Sequence, residues 1–203
     1  KYVDINTLGT ARLLDIIVDG EIELEKMVIA SSMSIYGEGE YYCPDCDSIR
    51  YPSLRDKEQM ANSEWEHSCS ECGQTLEPRA TPESKPRDST SIYAITKKDQ
   101  EEMMLSIGRA YDIPTVALRY FNIFGSRQAL DNPYTGVCAI FSSRIKNDNP
   151  PLVFEDGEQT RDFIHVSDIA RSNRLAIESD ATDVALNIGS GTPTTINEVA
   201  ETL

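Results

Sequence analysis

The sequence has no apolar run approaching the roughly 18 residues of a membrane-crossing helix, and no leader of charged, apolar and small residues opens it. It is also poor in positive charge: 19 Lys and Arg stand against 34 Asp and Glu, a formal net charge of -15. A surface of that sign repels polyanions, so neither nucleic acid nor an anionic membrane is expected as a partner, although a local basic pocket for phosphate stays open. No self-similarity occurs at the periods of solenoids or propellers. Apolar and charged fractions of 39% and 26% are those of globular chains and exclude disorder over the whole length. What remains is a soluble chain of 203 residues, expected in the cytoplasm. It is long enough for one ordinary domain or a large piece of a two-lobed enzyme. It opens at Lys1 inside a helical pattern and stops inside another, so both ends are expected to be cut.

Apolar residues from Val3 to Val18 recur at mostly helical spacing. The run Lys26-Met-Val-Ile-Ala-Ser-Ser suits a buried parallel strand whose end opens into a site, closed by a turn at Tyr36-Gly37. From Gly39 to about Pro86 the chain turns polar, with five prolines, four cysteines and no sustained periodicity, which marks an insertion. A helix is expected to start near Asp88-Ser89-Thr90 and run to about Tyr111, followed by a strand over Thr115–Phe121. A helix over Gly136–Lys146, strands near Leu152–Phe154 and Arg161–Val166, a helix opened by Ser167-Asp168, a strand at Val184–Ile188 and a helix from about Asn197 complete the expected order. Strands alternating with helices predict an α/β fold with a mainly parallel sheet.

Two constellations carry chemistry. Tyr93-Ala-Ile-Thr-Lys97 puts a phenol and an ammonium one turn apart on one helix face, about 6 Å apart at the backbone. An unperturbed tyrosine, with a pKa of about 10, is a poor base at neutral pH, and a neighbouring lysine stabilises its anion. Alone this pattern is weak, but Ser31-Ser32 at an upstream strand end supplies a hydroxyl beside the phenol. The second constellation is Cys43-Pro-Asp-Cys46 with Cys69-Ser-Glu-Cys72, two knuckles about twenty residues apart, the pattern of a closed structural zinc site. Disulfides are disfavoured in a reducing cytosol. His67 could replace one ligand, but four cysteines suffice, and no open three-ligand site suggests a catalytic zinc. Cys138 and His165 read as core residues, and Asp168 as a helix N-cap.

The ordered series Asn6-x-x-Gly9-Thr10, Ser-Ser-x-x-x-Tyr-Gly, Tyr-x-x-x-Lys, Arg119-Tyr-Phe-Asn122, Arg161-Asp-Phe-Ile-His-Val-x-Asp168 and Asn187-Ile-Gly189-Ser-Gly191 resembles extended short-chain dehydrogenase/reductases acting on nucleotide sugars. The resemblance covers nearly the whole chain outside the insertion. It implies a Rossmann-like doubly wound parallel sheet, incomplete here, with a small C-terminal substrate-binding lobe and a zinc-ribbon-like insertion. The implied division is residues 1–38 and 87–130 in the dinucleotide-binding part, 39–86 in the insertion, and 131–203 in the substrate-binding region with returning strands and helices. Family members begin with a Gly-x-x-Gly-x-x-Gly turn that lays the NAD pyrophosphate on a helix N-terminus. No such segment occurs here, so this stretch alone is expected to bind NAD poorly.

Carried over position by position, the resemblance makes Tyr93 the base, Lys97 the lysine on the nicotinamide ribose and Ser32 the serine on the reacting sugar oxygen. It puts Tyr120 and Asn6 on the cofactor side, and Asn122 and Arg161 on the nucleotide diphosphate. An arginine fork suits phosphate; the plainer alternative for Arg161 is a surface ion pair with Asp162 or Asp168. The implied activity is NAD-dependent 4-epimerisation of a dTDP- or UDP-hexose by a homodimer. Gly125-Ser-Arg-Gln128, Asn132-Pro-Tyr-Thr-Gly136-Val137 and Phe154-Glu-Asp-Gly157 most resemble the dTDP- and UDP-hexose 4-epimerases of the family. The dehydratases in it carry Asp-Glu directly after the strand-end hydroxyl; Met33-Ser34 stands there instead, and the decarboxylases' acidic residue is also missing. A non-catalytic zinc-containing interaction domain is the remaining alternative, against which Ser32, Tyr93 and Lys97 are intact.

Overall fold

The computed structural model describes residues 1–129 and 136–203. A π-helical turn over Val3–Leu8 runs into helix α1 (Gly9–Asp19), strand β1 (Met27–Ser32) and a 3₁₀ turn over Met33–Tyr36. Strands β2 (Glu40–Cys43) and β3 (Ser48–Arg50), the short helix α2 (Lys57–Ala61) and strand β4 (Glu77–Arg79) follow. Helix α3 (Ile92–Ala110) leads to β5 (Thr115–Tyr120) and β6 (Asn122–Phe124). The chain continues through α4 (Val137–Lys146), β7 (Thr160–His165), α5 (Val166–Glu178), β8 (Val184–Ile188), β9 (Pro193–Thr195) and α6 (Ile196–Thr202).

The main sheet is parallel in the order β1-β5-β8, with Ser32 opposite Tyr120 and Tyr120 opposite Ile188. Neighbouring residues of a strand point to opposite faces, and the core divides accordingly. Met27 and Ile29 pack with Leu14 and Ile17 of α1 and Met104 of α3, while Val28 joins Val116, Leu118 and Ala176 of α5. Helices therefore cover both faces, the doubly wound arrangement. Burial on both sides is why β5 is a near-continuous apolar run: Val116, Ala117 and Leu118 are at most 1% exposed. Full burial of a Val or Leu side chain contributes about 1.5–3 kcal/mol.

Between β1 and α3 the chain builds a separate antiparallel sheet, β3-β2-β4, with Cys43 opposite Ser48 and Tyr42 opposite Glu77. Sequence periodicity missed these strands because each has only three or four residues. A third sheet, β6-β7-β9, is parallel between Asn122 and Phe163 and antiparallel between Arg161 and Thr194. It packs near Phe141, Ile196 and Val199, an apolar cluster that Cys138 borders, only partly buried.

Four local expectations are corrected. Leu152–Phe154 forms no strand: Pro150 and Pro151 precede it, and Leu152 and Phe154 are 51% and 71% exposed. Helix α3 starts later than expected, capped by Ser91, whose Oγ accepts the Ala94 N–H at 3.1 Å. His165 is exposed rather than core; it is the N-cap of α5, its Nδ1 accepting the Ser167 N–H at 3.3 Å. Asp168 lies in the first turn of that helix, one turn inside the cap. The stretch from Leu130 to Thr135, with most of the Asn132–Val137 motif and the expected boundary at 130/131, lies outside the described residues.

Candidate active site

Ser32 ends β1 at the carboxyl edge of the parallel sheet, where α/β folds open their ligand crevice. Its extended backbone caps the following 3₁₀ turn: Ser32 Oγ accepts the Ser34 N–H at 3.2 Å and the Ser34 hydroxyl at 2.9 Å. With both bonds arriving at the oxygen, the Ser32 proton is left to be donated towards the Tyr93 phenol, whose pKa the Ser32 side chain lowers. Tyr93 stands in the first turn of α3 and is 36% exposed. Burial raises its pKa above the ordinary tyrosine value, and the Ser32 bond pulls in the opposite direction.

Lys97, one turn further along α3, donates from Nζ to the Ala30 carbonyl at 2.8 Å. Burial lowers its pKa. One of three ammonium donors is used by that carbonyl, so Lys97 can offer further donors to the hydroxyls of a bound ligand. Asn6 donates to Thr96 Oγ1 at 3.0 Å and Thr7 to Asp99 at 3.0 Å, so Asn6 ties the first helical turn to α3 beside Lys97.

Below these residues lies a buried ionic frame that sequence reading did not find. Glu101, fully buried one turn beyond Lys97, takes a fork from Arg119 of β5: Nη2 to Oε1 at 2.6 Å and Nε to Oε2 at 3.0 Å. The same carboxylate accepts the Ser31 hydroxyl at 2.6 Å, clamping the residue before Ser32 to the helix that carries Tyr93. Burial alone would raise the Glu101 carboxyl, but the Arg119 fork and the Ser31 hydroxyl outweigh it and its pKa is lowered. Arg119 also donates to the Tyr36 hydroxyl at 2.6 Å, and Tyr36 donates to Asn187 of β8 at 2.7 Å.

This frame also fixes both ends of the insertion. Arg119 reaches the Glu83 carbonyl at 3.0 Å, Asn187 the Thr81 carbonyl at 2.8 Å, and the buried Lys85 ammonium the Tyr36 carbonyl at 2.7 Å. Gly37 sits at φ 69°, where a Cβ would overlap the Asp88 carbonyl, so the outgoing and returning strands of chain meet at a glycine. Departure and return are thus pinned side by side, and the insertion leaves Ser32 and Tyr93 together.

On the other side of the crevice Asn122 of β6 donates to the Asp162 carbonyl at 3.2 Å, across the parallel pairing of β6 with β7. Arg161, two residues before Phe163, is exposed and donates to the Thr160 carbonyl at 2.7 Å; no ion pair to Asp162 or Asp168 forms among the described residues. Asp162 instead accepts the Ser190 and Gly191 N–H groups at 2.7 and 2.8 Å, holding the Gly189–Gly191 turn. Tyr120 is committed to α5 through a 2.8 Å bond from its hydroxyl to Asn173.

The four insertion thiols converge. Cys43, Cys46, Cys69 and Cys72 place their sulfurs within 4.8 Å of one another, with Cys43–Cys72 at 3.4 Å and Cys46–Cys69 at 3.9 Å. A tetrahedral zinc with Zn–S bonds of about 2.3 Å requires S···S edges of about 3.8 Å, so the donor set fits. Arg50 donates to Cys69 Sγ at 3.5 Å. That guanidinium, with backbone N–H groups of Cys72 and Glu71, pulls the Cys69 thiol down to about 6, while hydrogen bonds with Cys72 and Cys43 push Cys46 up to about 12. His67 is not part of the cluster; its Nε2 meets Glu38 at 3.2 Å and its ring packs edge-on against Tyr41.

Comparison with known proteins agrees with this geometry. The family model described as NAD dependent epimerase/dehydratase family matches residues 67–189. The dTDP-L-rhamnose 4-epimerase of Burkholderia thailandensis is 35% identical over 202 residues, covering 98% of this chain and 54% of its own length. The putative UDP-glucose 4-epimerase of Methanocaldococcus jannaschii is 30% identical, covering 97% of this chain and 51% of its own. Among solved structures, UDP-N-acetylglucosamine 4-epimerase from Methanobrevibacter ruminantium, in complex with UDP-N-acetylmuramic acid, superposes with a TM-score of 0.72 at 30% identity, covering 97% of this chain and 50% of that one. The chain thus spans about half the length of the relatives it matches, and over that half it belongs to the NAD dependent epimerase/dehydratase family.

Proposed function

We propose that this chain is the catalytic and substrate-side half of an NAD-dependent nucleotide-sugar 4-epimerase acting on a dTDP- or UDP-hexose. The observation that carries the reading is the Ser32–Tyr93–Lys97 set at the end of β1 and the start of α3, framed by the buried Glu101–Arg119 pair. In this reading the Tyr93 oxygen takes the proton of the sugar C4 hydroxyl, which Ser32 holds by a hydrogen bond. Bound NAD supplies the acceptor, and then the donor, of the C4 hydride. Lys97 binds the ribose, and its role towards the phenol is to favour the anion against the burial that raises the Tyr93 pKa, as the family resemblance implies. Asn122 and Arg161 hold the diphosphate, and the 4-keto sugar turns over before Tyr93 returns its proton. Asn6 and Tyr120 serve the cofactor side indirectly, by fixing α3 and β5.

Met33 and Ser34 follow Ser32 where a 4,6-dehydratase needs an acid and a base, and Ser34 is spent on Ser32 itself. That favours epimerisation over elimination. We further propose a structural zinc held by Cys43, Cys46, Cys69 and Cys72, with residues 39–86 as a zinc-ribbon-like insertion between residues 1–38 and the dinucleotide-binding part that resumes at 87. The same reading places the protein in the cytoplasm, where reducing conditions keep the four zinc-ligand thiols from forming disulfides. A homodimer of the full-length protein belongs to the same reading. The test is Tyr93→Phe in the full-length protein, which should keep nucleotide-sugar binding and lose about 10²–10⁴-fold in kcat. Near-wild-type turnover at saturating NAD would overturn the assignment.

A further inference from the structure

The insertion has a second attachment, far from its root. Arg55 makes a two-pronged ion pair with Glu155, Nη1 to Oε2 and Nη2 to Oε1, both at 2.9 Å, and also donates to the Trp65 carbonyl at 2.8 Å. The side chains are 21% and 17% exposed, so the pair is largely withdrawn from water and screened less than a surface bridge. Glu155 belongs to the C-terminal lobe. Its turn is fastened to the start of α6 by Asn197, which donates to the Asp156 carbonyl at 2.9 Å and to Glu158 at 2.7 Å. A few residues on, the same segment enters β7 and carries Arg161.

The root of the insertion lies beside Ser32, and this latch lies beside the strand of Arg161. The proposed function assigns both Ser32 and Arg161 to the nucleotide sugar, so the insertion is tied to the protein beside each of them. The tie runs on to the thiol cluster: Trp65, whose carbonyl Arg55 holds, precedes His67, which grips Glu38 at the root at 3.2 Å and is followed by Cys69. Arg161 meanwhile makes one hydrogen bond among the described residues, to the Thr160 carbonyl, and its field reaches Glu38 at the root and Tyr41 in the insertion.

We propose that the four-cysteine insertion is a wall of the nucleotide-sugar site, and that Arg55 and Glu155 are positioning residues that latch it against the lobe carrying Arg161. This rests on the reading that the crevice takes a nucleotide sugar. The latch touches neither Tyr93 nor the reacting carbon, so its loss acts on substrate affinity and not on the chemical step.

The experiment uses the full-length protein with UDP-glucose and, in parallel, dTDP-glucose, measuring binding by calorimetry, KM and kcat, and amide hydrogen exchange over residues 55–66. Wild type should bind one of the two sugars and show slowed exchange over 55–66 on binding. Arg55→Ala should weaken that binding about tenfold, raise KM likewise, leave kcat within about twofold and abolish the exchange effect. The reversed pair Arg55→Glu with Glu155→Arg should recover most of the affinity, which separates a latch from general damage to the fold. Unchanged affinity in Arg55→Ala, a fall in kcat at constant KM, or no recovery in the reversed pair would overturn the latch while leaving the epimerase reading standing. Wild-type protein that binds neither sugar would overturn both.

Discussion

Replacing Glu101 by alanine removes a fully buried carboxylate and leaves Arg119, itself 5% exposed, without the two bonds at 2.6 and 3.0 Å that compensate its charge. Stranding a buried charge in this way costs about 3–5 kcal/mol, a large share of the roughly 5–15 kcal/mol that holds a typical domain folded. The double variant Glu101→Leu with Arg119→Met removes both charges, so it should lose much less, within about 2 kcal/mol of wild type. Urea unfolding of the full-length protein reads both numbers from the midpoint. A Glu101→Ala midpoint equivalent to less than about 1 kcal/mol of loss, or a double variant as unstable as the single one, would refute the frame. The pH dependence has a definite sign. The folded-state pKa of Glu101 is lowered, so its contribution is fully present above the ordinary glutamate value of about 4.3 and is lost as pH falls through the lower folded value. The gap between wild type and Glu101→Gln should therefore hold at neutral pH and close only below about pH 4.

Lys97→Met should weaken NAD binding and, if Lys97 favours the phenolate as proposed, move the rising limb of the pH–rate profile to higher pH, since the burial that raises the Tyr93 pKa remains; an unchanged profile contradicts that role. Elemental analysis should find about one zinc per chain, and chelation should lower the unfolding temperature before it alters chemistry at the sugar; freshly purified, reduced protein with almost no zinc contradicts the thiol site. Gly37→Ala should destabilise by about 1–3 kcal/mol, since its φ of 69° and the Asp88 carbonyl leave no room for a methyl group, and thermal unfolding checks it.

The alternation of strands and helices was legible because β1, β5 and β8 are short apolar runs bounded by turn residues, α1 and α5 have a clear helical period, and α3 is a long run of strong helix formers. Ser32, Tyr93 and Lys97 were legible as a motif, and the four cysteines as a spacing. What was not legible depends on partners distant in sequence. Glu101 lies in a charged helical stretch, Lys97-Lys-Asp-Gln-Glu-Glu102, and reads as a solvated face; its partners Arg119, eighteen positions away on β5, Ser31 on β1 and Arg87 are what let it be buried. Arg55 and Glu155 are separated by a hundred positions; Arg55 belongs to no motif, and the Phe154-Glu-Asp-Gly157 motif that contains Glu155 gives no sign of its partner. Leu152–Phe154 has the composition of a strand, but its neighbours decide its pairing, and there it has none. The insertion strands fail for a plainer reason: three residues carry no measurable period.

The most direct measurement is product analysis by NMR in deuterated water, with the full-length protein, NAD and a dTDP- or UDP-hexose. If hydride leaves and returns at C4 within one site while Tyr93 exchanges only the hydroxyl proton, C4 inverts, no cofactor is consumed and no deuterium enters the sugar carbons. Deuterium at C5 would mark elimination of water, and deuterium at another carbon would mark proton abstraction from that centre. Either result would contradict the account of Ser32, Tyr93 and Lys97 as the centre of a 4-epimerase.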